Sequence, residues 1–184
     1  AGTVIINDTN TLNIGASTIG GSLTATADND ININGNITGI GSSLTDSFNV
    51  SAGGSVSVNN STITTNNRDL SIIANQQPSG ATANIIMDTA SSILAGSGDV
   101  SITMPNATGS GDITVNDINA NTIKVYNIAS TTGTDVFLTG VLQATGLATA
   151  PEDGNAPLIV RSDTGNILNN SAAGGSALVV DQGG

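Results

Sequence analysis

Residues 30–37, Asp30-Ile31-Asn32-Ile33-Asn34-Gly35-Asn36-Ile37, alternate isoleucine with asparagine, pause over three polar residues and resume with one more isoleucine. Ile31-Asn32-Ile33 is a strand pattern with one apolar and one polar face. Asn34-Gly35 is the usual signal for a tight hairpin turn, which would make the protein antiparallel. The alternative is a corner at Asn34, with Ile37 opening a second sheet. The choice rests on whether the same beat recurs along the chain, and in what order.

It does recur. An alternating apolar pair, a single aliphatic and a second alternating pair follow one another in seven units. The first is Val4/Ile6, Leu12, Leu23/Ala25, and the second Ile31/Ile33, Ile37, Phe48/Val50. Val56/Val58, Ile63, Leu70/Ile72 make the third, and Ile85/Met87, Ile93, Val100/Ile102 the fourth. Then come Ile113/Val115, Ile118, Ile123/Val125, followed by Val136/Leu138, Leu142 and a weak third member near Leu147. Leu158/Val160, Ile167, Leu178/Val180 close the series. Val4 and Leu158 stand 154 positions apart over six intervals, about 26 residues per unit and within the range of solenoid repeats.

The residue after each first pair is Asn7, Asn34, Asn59, Asp88, Asn116, Thr139 and Arg161. Asn and Asp tolerate left-handed backbone and bond locally to the main chain, so they suit a fixed corner. Asn7, Asn34, Asn59, Asp88 and Asn116 are therefore predicted to stack as a structural corner ladder, with amides bonded along the axis. Three short strands per unit and a corner after the first describe a parallel β-helix, or β-solenoid, of about seven triangular coils. Coils stacked about 4.8 Å apart make a rod on the order of 30 Å long. The whole chain, 1–184, reads as a single all-β domain, with less regular coils over 146–184. A β-sandwich is the competing fold, but its strands are usually longer and richer in aromatics.

The composition fits a narrow interior repeated from layer to layer. Aromatics are 2% of 184 residues, so the core must be built from Val, Ile, Leu and Ala. No helical periodicity is present, and Gly, Ser, Thr and Asn are poor helix formers. The net charge of −11 comes from acids scattered singly, and the cations are only Lys124, Arg68 and Arg161. That excludes a basic patch, and with it nucleic acid or an anionic membrane surface as partner. No apolar run approaches 18 residues, so no membrane insertion is expected. Cysteine is absent, which excludes a disulfide framework and cysteine-based metal or redox chemistry. Because the sequence opens directly in a strand-like segment, it is expected to be a trimmed or mature piece of a longer protein.

Three stretches carry a family resemblance: GGSLTATADNDININGNITG (20–39), SAGGSVSVNNSTITT (51–65) and GSGDITVNDINANTIKV (109–125). Each runs Gly-rich turn, alternating strand, polar corner, isoleucine. They resemble the repeats of filamentous haemagglutinin-type adhesins, the large exoproteins of bacterial two-partner secretion. The resemblance covers residues 1–145, and the tail with Pro151 and Pro157 follows it less well. It implies a right-handed coil and a secreted or cell-surface protein of a Gram-negative bacterium. The Asn-Pro-Asn-Gly motif of that family's secretion domain is missing. The stretch implied is therefore repeat shaft.

β-Helices also carry polysaccharide hydrolases, which need two carboxylates facing across a groove. Asp28 with Asp30, and Asp112 with Asp117 near a common corner, are the candidate pairs, and turn-holding is the competing role. Histidine is absent, and the three cations fall in different coils without an acidic cluster nearby, so acid–base chemistry is poorly provided for. Gly96-Ser97-Gly98-Asp99 and Gly109-Ser110-Gly111-Asp112 are similar to fragments of a calcium-binding nonapeptide repeat but lack its spacing. They read as turns before strands. Asn-x-Ser/Thr occurs at Asn7, Asn36, Asn49, Asn59, Asn60, Asn106 and Asn169, as expected in so Asn-rich a chain. Thr24-Ala25-Thr26 and Thr62-Ile63-Thr64 fall in different columns and build no regular threonine array.

The sequence thus predicts a non-catalytic shaft or binding segment with no cofactor and no metal. Surface glycans or protein receptors are its expected partners. The strand edges at the ends of a β-helix add end-to-end self-association as a further expectation.

Overall fold

The computed structural model describes residues 2–40, 43, 45–75, 82–105, 108–128, 134–146, 156–170 and 178–180, the last without their side chains. The chain begins with β1 (Val4–Asp8), β2 (Leu12–Ile14) and β3 (Ser17–Ile19). Next come β4 (Leu23–Ala27), β5 (Ile31–Ile33), β6 (Ile37–Gly39), β7 (Ser47–Ala52), β8 (Val56–Val58) and β9 (Thr62–Thr64). The middle continues through β10 (Asp69–Ile73), β11 (Ile85–Met87), β12 (Ser92–Leu94), β13 (Val100–Met104), β14 (Ile113–Val115) and β15 (Asp117–Ala120). It closes with β16 (Ile123–Asn127), β17 (Val136–Leu138), β18 (Leu142–Ala144), β19 (Leu158–Ser162), β20 (Ile167–Asn169) and β21 (Leu178–Val180). Among the described residues there is no helix.

Every third strand shares a sheet. The first sheet runs β1-β4-β7-β10-β13-β16-β19, the second takes β2 to β20 and the third β3 to β21, each with seven strands. All named pairings are parallel, β1 with β4 and β5 with β8 among them. The protein is therefore an all-β parallel β-helix with three sides. Asn34-Gly35 makes no hairpin: the Asn34 N–H donates to the Ile14 carbonyl of the preceding coil at 2.9 Å. The chain turns a corner and enters β6, in the third sheet.

Period-two alternation sends every other side chain inward, and parallel register stacks them in files. Leu23, Phe48, Leu70, Val100 and Ile123 form one file of the first sheet. Ile31, Val56, Ile85, Ile113 and Val136 form the matching file of the second. Ile37, Ile63, Ile93, Ile118 and Leu142 complete the third. All of these are buried and make one continuous core, each side chain worth roughly 1.5–3 kcal/mol of hydrophobic stabilisation. The coils are tight at the corners. Gly111 has φ of 132°, and a Cβ there would run into the Ala83 carbonyl of the coil before. Only glycine fits.

Two parts of the sequence reading are corrected. Val4/Ile6 belong to β1, in the first sheet, whereas Leu12 opens β2 and pairs with Ile31. Likewise Leu158/Val160 lie in β19 beside β16, on the first sheet, and not on the second sheet with Val136/Leu138. Leu147 lies outside the described residues. The physical reason is simple: alternation looks the same in all three sheets, so a pair alone does not say which side of the triangle it occupies.

Candidate functional site

The polar residues sort into corners and outward faces. The longest ladder precedes the second sheet, at Asp30, Ser55, Asn84, Asp112, Asp135 and Asn166. The Asp30 carboxylate accepts from the Ser55 N–H at 2.7 Å, and the Ser55 hydroxyl accepts from the Asn84 N–H at 3.0 Å. The Asn84 amide oxygen takes the Asp112 N–H, and the Asp112 carboxylate the Asp135 N–H, both at 2.8 Å. Asp135 then accepts from the Asn166 N–H at 2.7 Å. Each coil thus offers one side-chain oxygen to the backbone of the next. Orphan backbone donors at the corners are satisfied without regular pairing.

Asn34, Asn59, Asp88 and Asn116 each follow a strand of the second sheet and lie in neighbouring coils. Asn59 Nδ2 donates to Asn34 Oδ1 at 2.9 Å, which is an amide rung. Further along, Asp88 accepts from the Ser91 hydroxyl and the Asn60 N–H, and Asn116 donates to the Ser91 carbonyl. The Ser91 hydroxyl, followed by the Asn60 and Ala90 N–H groups, holds the Asp88 carboxyl below the ordinary carboxylate value, against an opposing push from burial. Asn7 does not belong with them. It lies inside β1, on the first sheet, and accepts from the Thr26 hydroxyl. Among the described residues the left-handed ones other than glycine are also different, namely Asn60, Asn66, Asn67 and Asn75.

The candidate catalytic pairs separate. Asp112 and Asp117 stand at opposite ends of β14, at two different corners, and Asp117 accepts from the Val141 N–H. Asp30 is committed to Ser55, while Asp28 sits exposed in the turn after β4. Both glycine-rich stretches lead into strands, the first as a turn and the second through a parallel bridge of Ser110 with Thr82, and each terminal aspartate takes a backbone N–H of the next coil. Among the described residues no three His, Cys, Asp or Glu side chains come together as a metal site. Thr24 and Thr26 lie on β4 and Thr62 and Thr64 on β9, in different sheets. Of the sequon asparagines, Asn36 and Asn59 are bonded between coils, Asn60 is exposed at φ 46°, and Asn106 lies outside the described residues.

Two of the cations each stand beside a single acid. Arg161 pairs with Asp163 at 2.6 Å on the surface. Arg68 is 1% exposed and reaches back across the coils. Its Nε donates to the Thr65 carbonyl at 2.7 Å and its Nη1 to the Gly21 carbonyl. The guanidinium lies 4.7 Å above the Phe48 ring centroid and 3.9 Å from Asp46. Among the described residues its Nη2 finds no hydrogen-bond partner. No sequence signal marked this residue, because arginine is rarely buried without partners and its partners here are mostly backbone oxygens.

Lys124 occupies a groove of about 260 Å³ on the outward face of the first sheet. Asn49, Ser71, Ser101 and Lys124 are in register on β7, β10, β13 and β16 and form its floor. Asp69 and Asp99 line one side. Asp69 Oδ1 accepts from the Asp99 N–H at 2.9 Å, and Asp99 Oδ1 from the Asn121 side chain and the Thr122 N–H. Among the described residues no hydrogen bond uses the second oxygen of either carboxylate, and Lys124 forms no ion pair. The groove is a concave, polar and charged feature of the first sheet's outward face. Compared with family models, with curated proteins and with solved structures, the chain matches none of them.

Proposed function

We propose that the chain is a non-catalytic shaft and binding segment of a secreted or surface-exposed bacterial protein of the adhesin or extracellular-matrix kind. Contact with glycans or receptors is made through its outward polar faces. One observation carries the reading. Asp30, Asp99, Asp112, Asp117 and Asp135 each hold a backbone N–H of the following coil. Acids spent in this way stabilise a rod, and a hydrolase instead needs two of them turned towards one substrate bond. The resemblance to filamentous haemagglutinin repeats, and through it export by two-partner secretion, supports the same reading.

The test incubates the purified chain with a polysaccharide panel and with surfaces coated in glycans or host glycoproteins. Saturable retention on a coated surface with no release of reducing ends is the expected result. Catalytic release of oligosaccharide would sink the proposal, above all if Asp30→Asn or Asp112→Asn abolished it, since those variants retain the acceptor oxygen at the corner.

A further inference from the structure

We propose that the groove over β7, β10, β13 and β16 binds a neutral, hydroxyl-rich oligosaccharide lying along the coil axis. The inference rests on the shaft-and-binding reading above and adds to it a site and a ligand class. Three features lead to it.

The first is the mixture of donors and acceptors. The second carboxylate oxygens of Asp69 and Asp99 accept only, the Lys124 ammonium donates only, and the Ser71 and Ser101 hydroxyls do either. A sugar edge presents neighbouring hydroxyls that both donate and accept, so it satisfies all of these at once. Bonds to the three ionised groups are the stronger ones.

The second is spacing. Asn49, Ser71, Ser101 and Lys124 repeat once per coil, so three steps of about 4.8 Å give a floor about 14 Å long. One step is close to the length of a pyranose ring, and an oligosaccharide along the axis would meet an equivalent polar position at each unit.

The third is charge. Two aspartates against one lysine leave the groove negative, within a chain of net charge −11. An acidic polysaccharide is repelled both locally and at long range. The groove has no aromatic floor, and Tyr126 stands two residues beyond Lys124 on the same face of β16. Affinity for a single short oligosaccharide is accordingly weak, and repeated attachment along a surface would raise it.

Titration of the full chain with cellohexaose, maltohexaose and chitohexaose, and separately with an oligogalacturonate, followed by backbone amide NMR, tests this. Saturable shifts at Ser71, Ser101 and Lys124 with a neutral hexasaccharide are expected, and no comparable binding of the acidic one. In the double variant Asp69→Asn, Asp99→Asn the corner acceptors remain while each outward acceptor becomes a donor. Binding should weaken about tenfold or more, with resonances of the other two sheets unchanged as the check on folding. Lys124→Gln should act in the same direction.

Unaltered affinity in these variants, or preference for the acidic ligand, would overturn the proposal. Shifts confined to another face would overturn it too, yet leave the glycan-contact reading standing. If neither ligand class shifts any residue but the chain still adheres to coated surfaces, the groove alone is wrong. Loss of adhesion as well removes the reading beneath it.

Discussion

The middle coils and the last described strands have the same kind of sequence and a different fate. In β5, β8 and β14 the inward residues are fully buried and the outward ones half-exposed. In β19 the inward Leu158 and Val160 are only half-buried, and all of β20 is exposed, with Ile167 at 47%. Val4 and Ile6 of β1 are half-buried as well. Leu158 and Val160 are spaced as Ile31 and Ile33 are, and are just as apolar, although Ile159 stands where Asn32 does. What differs is a neighbour: β20 is bonded to β17 on one side, while β14 lies between β11 and β17. In a solenoid the core of a coil is supplied by the coils beside it, so burial is a nearest-neighbour property and not one of the strand itself.

Arg68 should show this dependence most strongly, because it ties strands from several coils to one side chain. Arg68→Ala strands the Gly21 and Thr65 carbonyls and Asp46, and opens a cavity over Phe48. A loss of about 3–5 kcal/mol is expected from urea unfolding, as for breaking other buried charge networks. Arg68→Met should recover part of that by refilling the space, since Asp46 is 23% exposed and still meets water. A loss below about 1 kcal/mol for alanine would mean that Arg68 is a passenger of the fold.

A pair of equal substitutions tests the comparison directly. Ile102→Ala removes a side chain that is 0% exposed, in β13, and should cost about 2–5 kcal/mol. Ile167→Ala makes the same chemical change at a half-exposed site in β20 and should fall within about 0.5 kcal/mol. Similar losses at both sites would show that β20 is more deeply packed than its position implies.

The three-sided coil was legible because aliphatic alternation survives in nearly every strand and because the order pair, single, pair repeats. The misplacement of Asn7 and of Leu158/Val160 followed from reading sheet identity out of alternation, which does not encode it. The ladder at Asp30, Ser55, Asn84, Asp112, Asp135 and Asn166 escaped notice because its residues differ in charge and size. They share only a short side chain with an acceptor oxygen, placed one residue before a strand. The corner file with Asn34 and Asn59 looked more regular, yet it holds fewer continuous bonds. The groove was beyond sequence reading altogether, because Asn49, Ser71, Ser101 and Lys124 are 22 to 30 residues apart in succession and meet only through register.

Asp88 gives a smaller effect than Arg68 or Ile102 and a sharper view of how corners differ from cores. Its carboxyl lies below the ordinary value, so the folded state favours the charged form. The contribution is fully present above the ordinary carboxylate value and is lost as pH falls through the depressed folded one. Asp88→Asn keeps an oxygen for the Ser91 hydroxyl, but sets an amide N–H against the Asn60 N–H that Oδ2 now accepts. The variant should therefore be less stable than the parent at about pH 7, by less than Arg68→Ala or Ile102→Ala, and the gap should narrow towards about pH 3. Urea midpoints at the two pH values provide the measurement. Because Ile102 carries no proton, the Ile102→Ala gap should not narrow in this way. A pH-independent gap at Asp88 would show that the corner is held by shape alone, with the carboxylate charge contributing nothing.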